Sequence, residues 1–378
     1  MLDGLVVLLD EFGRQSPYHL PYYGCYFLFW VLQLLSLHAN GPWQRFISEM
    51  SSMNRTSLSS SSFFWTHLVA MTTAVFLGAL ACGDDMGPDT NIDTTDAGYD
   101  SDIGGGLGLE PEPWPEPRDG CNGHPDLCDR HFHEIVFPAT HNAMSNAEDG
   151  WGVPNQNLPL RTQLIDGIRV FLLDTYEEND EILLCHAACQ IGSRPLIDAM
   201  EEFRSFLEEN PDEVITIIFE DHISGEKTVE VLQDSGIDDF VYTHDADEGW
   251  PTLAEMIDAD TRLVITNESA GPPPDWMHHV WDLGWDTPFS FSSIDEFNCS
   301  PNRGTLSGDL FLINHWVLDP VANPDNAPEV NSYEVLMERV DECQEQWERL
   351  PTFIAVDFYD VGDIFEVVGV LNGLTGPR

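Results

Sequence analysis

The stretch EVITIIFEDH, residues 213–222, decides the fold class of this 378-residue chain. Its first part, Glu213 to Phe219, is a run of strand length rich in apolar and β-branched residues, which is typical of a strand buried on both faces. Three polar residues, Glu220, Asp221 and His222, follow it directly. Strands buried in this way belong to parallel sheets covered by helices, so the stretch predicts an α/β fold with reactive groups at a strand end.

Further runs of strand length recur on both sides of this stretch. They are Glu134 to Ala139, Gly167 to Leu173, Arg262 to Thr266, Asp309 to Ile313 and Phe353 to Val356. Helical spacing of apolar residues appears between them. It predicts one helix from Pro195 to a stop at Asn210-Pro211, and another over Tyr333 to Trp347. The alternation predicts parallel strands covered by helices.

The chain is strongly acidic. It has 66 Asp and Glu against 15 Lys and Arg, a formal net charge of -51. Phosphate backbones are bound by clustered Lys and Arg, so nucleic-acid binding is excluded and anionic bilayers are repelled. The acidity indicates either solubility in salty surroundings or cation binding, and both suit an exported protein.

Six of the eight cysteines lie in the second part of the chain: Cys121, Cys128, Cys185, Cys189, Cys299 and Cys343. Fifteen pairings are possible for six cysteines, and the sequence does not choose between them. Short spacing favours Cys121 with Cys128 and Cys185 with Cys189, which leaves Cys299 with Cys343. Disulfides predict an oxidising compartment.

Composition divides the chain into four parts. Residues 1–52 form an N-terminal extension, which is either an artefact of start-site choice or a further membrane segment. Residues 53–82 resemble a bacterial lipoprotein signal ending at Cys82, although Ala79 stands where such signals usually have Leu, so plain cleavage or an uncleaved anchor are alternatives. Residues 83–120 predict a solvated acidic linker rich in Gly and Pro, and residues 121–378 the folded domain. The predicted location is outside the cytoplasm, as an outer-membrane lipoprotein or a secreted protein.

Polar residues capable of chemistry follow the predicted strands. They are His141 and Asn142 after the first, Asp174 after the second, His186 after the short run Ile182 to Leu184, Glu220, and Asp357 after the last. In a parallel barrel these ends meet at one mouth, where barrel enzymes place their active sites. Two histidines suit acid–base chemistry near neutral pH, while amide and carboxylate oxygens suit Ca²⁺ or Mg²⁺.

An ordered set of motifs resembles the X domain of phosphatidylinositol-specific phospholipases C. The motifs are Thr140-His141-Asn142-Ala143, Gly167-Ile168-Arg169 with Leu173-Asp174, Leu184-Cys185-His186, Ile217 to His222, Asp286 to Phe289 with Asn302-Arg303-Gly304, and Phe353 to Tyr359. The resemblance is closest to the secreted branch of bacteria, fungi and plants and covers Cys121 to Gly373. It implies a TIM-type (β/α) barrel and a phosphoric diester hydrolase acting on a phospholipid.

The resemblance implies different roles for the two histidines. In the family reaction the inositol 2-hydroxyl attacks phosphorus and diacylglycerol leaves. His186 would protonate the departing glycerol oxygen. His141 would either remove the hydroxyl proton or stabilise the phosphorane.

The resemblance also implies Asn142, Asp174 and Glu220 as metal ligands, with Ca²⁺ expected and Mg²⁺ as the alternative. Leu172 departs from the pattern, because both well-known branches carry a carboxylate there. Asp174 stands where the metal-free branch has arginine. The sequence therefore predicts a site without a fixed positive charge unless an ion binds.

Three residues remain as substrate contacts or supporting residues: Arg169, Asp357 and Tyr359. Arg169 is interpreted mainly as an ion-pair partner inside the barrel, and Asp357 either orients His141 or caps the strand end. Two other functions stay open. The barrel could act on glycerophosphodiesters or lysophospholipids, or it could be a surface-binding module that has lost catalysis. A monomer is expected.

Overall fold

The computed structural model of the protein describes residues 112–374. The strands are β1 (Phe137–Thr140), β2 (Val170–Glu178), β3 (Glu181–Cys185), β4 (Ser193–Pro195), β5 (Ile215–Asp221), β6 (Leu263–Asn267), β7 (His278–His279), β8 (Gly284–Asp286), β9 (Leu310–His315) and β10 (Phe353–Val356). The helices are α1 (Leu160–Asp166), α2 (Leu196–Glu209), α3 (Gly225–Ser235), α4 (Leu253–Asp258), α5 (Val280–Leu283), α6 (Ala327–Val330), α7 (Tyr333–Trp347) and α8 (Ile364–Leu371). The predicted extension 1–52, the signal 53–82 and most of the linker lie outside the described residues.

Eight of the strands form a parallel barrel in chain order. Around the sheet they run β1, β2, β5, β6, β7, β8, β9, β10 and back to β1. The neighbours that share a ladder along this path are all parallel. In the described part of the chain β7 and β8 share no ladder and are joined by α5. The TIM-type barrel predicted from the sequence is confirmed.

All six predicted strands are present, and β10 has the predicted bounds. The helix predicted after Pro195 ends at Glu209, with Asn210 as its C-cap, and α7 spans the predicted residues. The sequence missed β7 and β8, which are two and three residues long. Strands this short carry no periodic signal.

Alternate residues of each barrel strand belong to different cores. On β2, Phe171 and Leu173 face outward into the layer shared with the helices, where the ring of Phe171 meets that of Phe203 on α2 edge-on, with centroids 4.9 Å apart. Val170 and Leu172 belong to the inner core. Period-two alternation therefore directs Asp174, which has the parity of Leu172, into the barrel. Each fully buried Phe or Leu contributes about 1.5–3 kcal/mol to this packing.

The end of the predicted linker is packed rather than solvated. The indole of Trp114 lies 3.7 Å below the guanidinium of Arg161 and meets Phe206 edge-on. Its Nε1 donates to Ser205 Oγ at 3.0 Å. The folded unit therefore begins before Cys121, which corrects the predicted boundary at residue 120. The sequence feature that indicates this packing is Trp114 itself, because a large aromatic residue is unusual in a solvated linker.

Three disulfide bonds join Cys121 to Cys128, Cys185 to Cys189 and Cys299 to Cys343. This is the pairing that short spacing favoured. Across residues 112–374, no helix combines the length and the apolarity needed to cross a membrane.

Candidate active site

The predicted strand-end residues meet at the carboxyl-terminal mouth of the barrel. His141 and Asn142 follow β1, Asp174 lies within β2, Glu220 within β5, and Asp357 follows β10. Asn142 has φ 45°, a left-handed conformation that asparagine tolerates better than most residues. The turn at Asn142 ends β1 and leaves both side chains at the mouth.

His141 is held on two sides. Its Nδ1 lies 2.8 Å from Asp357 Oδ1, and its ring stacks on Trp316 with centroids 3.8 Å apart and planes within 5°. Asn155 Nδ2 donates to the same Asp357 oxygen at 3.1 Å. When Nδ1 carries the proton, its N–H donates to the Asp357 carboxylate, and the unprotonated Nε2 faces the mouth. Trp316 was not foreseen from the sequence, because it reaches His141 from the segment after β9.

His186 reaches the mouth by a route that the sequence did not predict. The run before it, β3, pairs antiparallel with β2 rather than parallel, as the partners Thr175 and Leu184 show. β2 is nine residues long and rises beyond the barrel, so the returning β3 brings His186 back to the mouth. The Cys185–Cys189 disulfide closes the loop next to it.

Burial lowers the pKa of His186, and the neighbouring His141 lowers it further. The carboxylates of Asp357 and Glu220 act in the opposite direction without reversing the shift. Neutral His186 is therefore favoured over a wider pH range than a solvated histidine.

The amide of Asn142 lies between the histidines and a carboxylate. One amide atom is 3.0 and 3.3 Å from Nε2 of His141 and His186, and the other is 2.9 and 3.1 Å from the two oxygens of Asp174. With the amide nitrogen toward Asp174, the carboxylate accepts two hydrogen bonds and the amide oxygen accepts from the imidazoles. With the amide oxygen toward Asp174, three oxygens converge, an arrangement that a bound cation or a proton on Asp174 would satisfy.

Asp174 lacks a cationic partner in its immediate surroundings. Burial raises its pKa well above the ordinary value, and the charges of Glu220 and Glu268 add to the shift. The side chain of Glu220 is half exposed, and its Oε1 lies 3.0 Å from His222 Nε2. Within residues 112–374, no group of three or more His, Cys, Asp or Glu side chains is gathered closely enough to hold a metal by itself.

An arginine that sequence reasoning missed lies in the same mouth. Arg303 donates from Nη2 to Asp286 and from Nη1 to Glu268, both at 2.6 Å. Its guanidinium lies 4.2 Å from the Trp281 ring and 4.8 Å from the Phe289 ring. The prediction that the site lacks a fixed positive charge is wrong, because this loop residue lines the cavity with His141 and Asp174. The motif Asn302-Arg303-Gly304 is part of the family resemblance, but the resemblance implied no role for Arg303.

Gly304 allows this loop to approach β8. It has φ 90°, and a Cβ there would lie 2.1 Å from the carbonyl oxygen of Gly284. Asp286 on β8 is fully buried and also accepts from Asn314 Nδ2 at 3.0 Å. Asp286 thus holds the Arg303 guanidinium through Nη2, and Glu268 binds it through Nη1. Burial is the main cause that raises the pKa of Glu268 to about 7.

Arg169 and Tyr359 do not reach the mouth. Arg169 precedes β2 at the opposite end of the barrel, and its Nε donates to Glu213 Oε2 at 2.6 Å. The phenol of Tyr359 donates to Asp166 Oδ2 at 2.7 Å, at the end of α1. The ion pair of Arg169 agrees with its main interpretation from the sequence, and neither Arg169 nor Tyr359 lines the mouth. Of the three supporting candidates, only Asp357 lies at the site.

A cavity of about 340 Å³ opens at the carboxyl-terminal mouth of the barrel. Its polar wall contains His141, Asn142, Asp174, His186 and Glu220. The opposite wall is apolar and includes Val153, Phe289, Leu318 and Val321. The cavity can therefore accommodate a polar group at its base and an apolar group at its edge.

The fold is a parallel (β/α) barrel with histidine, amide and carboxylate side chains gathered at its carboxyl-terminal mouth. The family model PI-PLC X 1 matches residues 127–372, and the chain belongs to this family.

Two curated relatives are uncharacterised or named for their domain alone. An uncharacterised secreted protein of Arthroderma benhamiae is 29% identical over 70% of this chain and 66% of its own length. A PI-PLC X domain-containing protein of Arabidopsis thaliana is 30% identical over 64% of this chain and 62% of its own length. The match thus spans less than two thirds of either relative. A solved structure of the phosphatidylinositol-specific phospholipase C of Staphylococcus aureus is similar at 14% identity, with a TM-score of 0.45, over 66% of this chain and 95% of that one.

Proposed function

We propose that this protein is a phosphoric diester hydrolase that cleaves a phospholipid headgroup by the chemistry of a phospholipase C. The observation that carries the proposal is the convergence of His141 and His186, whose Nε2 atoms lie 3.0 and 3.3 Å from the same atom of the Asn142 amide. Two imidazoles on one side of a cavity can transfer protons at both ends of a phosphodiester. Membership of the PI-PLC X family supports the same reaction class.

His141 removes the proton of the attacking hydroxyl, while the new bond to phosphorus forms. Asp357 holds the imidazole in the required tautomer and stabilises its positive charge. His186 acts in its protonated form, which its lowered pKa makes a stronger acid, and gives its proton to the glycerol oxygen as the old bond to phosphorus breaks. The proton lost by the nucleophile is then held on His141, and the proton gained by the leaving group has come from His186.

A divalent cation, Ca²⁺ or Mg²⁺, fits the oxygen atoms of Asn142, Asp174 and Glu220. The fit rests on geometry: one amide atom of Asn142 lies 2.9 and 3.1 Å from the two oxygens of Asp174, and Glu220 is the partner of Asp174 in the ladder between β2 and β5. Burial, and then the charges of Glu220 and Glu268, raise the pKa of Asp174. When bound, such an ion neutralises charge that develops on the phosphoryl oxygens. In this arrangement the Asn142 amide presents its oxygen to the ion and its nitrogen to the histidines.

Export is part of the proposal. Three disulfide bonds are typical of an oxidising compartment. The Arthroderma relative is described as secreted. Attachment as a lipoprotein through Cys82 remains a prediction, to be tested by mass spectrometry of the mature N-terminus.

The reaction is tested with the full chain on a panel of phospholipids and glycerophosphodiesters, with products identified by mass. His141→Ala and His186→Ala should each abolish release of the phosphate product with the thermal unfolding midpoint unchanged. His131→Ala, which replaces an exposed histidine before β1, is the control and should be fully active. Unchanged turnover in either site variant would overturn the proposal.

Product identity separates the alternatives within the family fold. An inositol cyclic phosphate arises only if the inositol 2-hydroxyl is the nucleophile. A glycerol phosphate product indicates glycerophosphodiester cleavage instead. Ligand binding without turnover under any metal would indicate the surface-binding module.

The cation is tested by calorimetric titration of the chelator-treated protein with Ca²⁺ and with Mg²⁺. Binding should be lost in Asp174→Ala and Glu220→Ala. Glu177→Ala, which removes an exposed carboxylate on the outer part of β2, should bind as the wild type does. Equal binding in all three variants would place the ion elsewhere.

A further inference from the structure

Three neighbouring strands of the barrel end at the same level of the mouth. The ladders pair Thr140 of β1 with Val356 of β10, and Val356 with His315 of β9. The residues that come next along the three strands are His141 after β1, Asp357 after β10 and Trp316 after β9. The register of the parallel strands therefore places a histidine, a carboxylate and an indole in one row.

The other two members of the row contact His141 from different directions. Asp357 meets the edge of the imidazole, with its Oδ1 2.8 Å from Nδ1. Trp316 covers one face of the ring, with centroids 3.8 Å apart and planes within 5°. The hydrogen bond determines which nitrogen faces the substrate, whereas the stack determines the tilt of the ring.

The indole of Trp316 makes its contacts through its ring faces rather than through its N–H group. The side chain is 4% exposed and belongs to the inner core of the barrel. Among the described residues its Nε1 has no hydrogen-bond partner, although a buried tryptophan usually has one. A hydrogen bond therefore does not explain a tryptophan at this position, and its large face is the part that contacts His141.

The proposed reaction gives His141 a positive charge. As the attacking hydroxyl loses its proton to Nε2, the imidazole becomes an imidazolium and the new bond to phosphorus forms. The face of an aromatic ring is electrically negative, so it stabilises a cation held over it, and tryptophan has the strongest effect. The neutral imidazole gains less from the same contact. The stabilisation therefore grows as the proton is transferred, which lowers the barrier of that step.

We propose that Trp316 is a positioning residue of the hydrolase, and that its ring face stabilises the imidazolium form of His141 during the reaction. Asp357 acts on the edge of that imidazolium, and Trp316 acts on its face. This role rests on the proposed function, since it assigns a further residue to that reaction. The contribution comes from the electron density of the indole face, so it differs from a hydrogen bond and from packing.

Ring-fluorinated tryptophans test this role, because fluorine withdraws electron density from the ring face and changes the shape of the side chain little. A series of increasing fluorine content is incorporated at position 316 alone in the full chain. The substrate is the phospholipid or glycerophosphodiester of the panel that the wild type hydrolyses fastest. Along the series kcat should fall stepwise, by about tenfold in total. KM should change less, because the charge on His141 arises only during the reaction.

Trp285 supplies the matched control. It is 2% exposed and stacks on the uncharged ring of Phe311, with centroids 4.0 Å apart and planes within 12°. The same fluorinated series at position 285 should leave kcat at the wild-type value. Because both tryptophans are buried and stacked, an effect of fluorine on packing is common to the two positions.

Two ordinary substitutions give an independent measure of the same contact. Trp316→Phe keeps an aromatic face over His141, whereas Trp316→Leu fills part of the space without one. The leucine variant should lower kcat about tenfold, and the phenylalanine variant should recover part of that loss. Thermal unfolding midpoints of both variants identify any loss of kcat that comes from a less stable fold.

The outcomes separate this role from the hydrolase itself. A constant kcat along the series at position 316, or an equal fall at position 285, would overturn the role of Trp316 and leave the hydrolase in place. A rise in KM with kcat unchanged would also overturn it, because the indole would then act on substrate binding instead. If the wild type releases no product from any member of the panel, the hydrolase is rejected, and the role of Trp316 with it.

Discussion

The Nδ1 atom of His141 lies 2.8 Å from Oδ1 of Asp357, although 216 residues separate them in the chain. The ladder between β1 and β10 makes this contact possible, since Thr140 pairs with Val356 and each functional residue is the next one along. Strand register therefore positions a carboxylate against the histidine. The carboxylate in turn determines which nitrogen of His141 faces the substrate.

Replacing Asp357 by Asn should lower kcat by about 10²–10⁴-fold, because the amide no longer favours the tautomer with its proton on Nδ1. KM should change much less, since the carboxylate does not line the substrate side. The measurement is steady-state kinetics on the substrate identified by the phospholipid panel. Asp360→Asn, three residues along and exposed, is the control and should keep wild-type kcat. Equal kcat in the two variants would exclude an orienting role for Asp357.

The buried ion pair at the opposite end of the barrel should govern stability and not catalysis. Burial alone would raise the pKa of Glu213, but Arg169 and then Arg118 outweigh it, so the pKa is lowered. Glu213→Gln leaves Arg169, only 3% exposed, without its counter-charge. We expect a loss of about 3–5 kcal/mol in the free energy of unfolding.

Urea denaturation checks this value. The matched control is Glu208→Gln, which removes the exposed pair with Arg204 at 3.7 Å and should cost under about 1 kcal/mol. Similar losses in the two variants would mean that burial of the Arg169–Glu213 pair does not increase its contribution to the free energy of unfolding.

His315 should make the protein less stable as the pH falls below about 6.5. It is fully buried, its Nε2 lies 2.8 Å from the carbonyl oxygen of Val330, and burial lowers its pKa to about 3. Between these values the unfolded chain binds a proton that the folded chain does not. The free energy of unfolding therefore decreases with falling pH, by about 1.4 kcal/mol per pH unit from this residue.

Urea midpoints at pH 7 and pH 5 test the His315 effect. His315→Gln keeps a donor for Val330 but does not titrate, so its stability should depend less on pH than that of the wild type. His222→Gln, which replaces an exposed histidine, should keep the wild-type pH dependence. A wild-type slope in His315→Gln would show that other groups cause the acid sensitivity.

The fold was predictable because buried parallel strands have a simple signature. A run such as Ile217 to Phe219 has to be apolar on both faces, since one face points into the barrel interior and the other points to the helices. The strands β7 and β8 were not predicted, because two or three residues are too few to show a periodic pattern of apolar side chains. The packing of Trp114 escaped because composition, which identified the linker, does not reveal a single contact.

The site was predictable only where a strand delivers the residue. His141, Asn142 and Asp357 follow strands of known direction and Asp174 and Glu220 lie within such strands, so their convergence could be expected. The position of His186 depends on a hairpin whose antiparallel direction has no sequence signal. Arg303 and Trp316 come from long segments, whose paths are set by tertiary packing rather than by local pattern.

A carboxylate at position 172 should strengthen the cation site. Leu172 precedes Asp174 by two residues on β2, so the two side chains share a face, and the register pairs Leu172 with Ile218 and Asp174 with Glu220. Leu172 lines the same cavity as both acidic residues. A glutamate there would supply a fourth protein ligand to an ion that takes six to eight oxygens when it is Ca²⁺.

Leu172→Glu should therefore bind Ca²⁺ at least about tenfold more tightly, measured by calorimetric titration. Without the ion it should be less stable than the wild type, because a third carboxylate joins Asp174 and Glu220 in a partly buried site. Added Ca²⁺ should restore the thermal unfolding midpoint, because binding to the folded state alone stabilises it. Leu172→Gln is the control of similar size without the charge, and it should show neither effect in full. If Glu and Gln at this position gave the same Ca²⁺ affinity, the ion would not bind between β1, β2 and β5, and the acidic mouth would need another explanation.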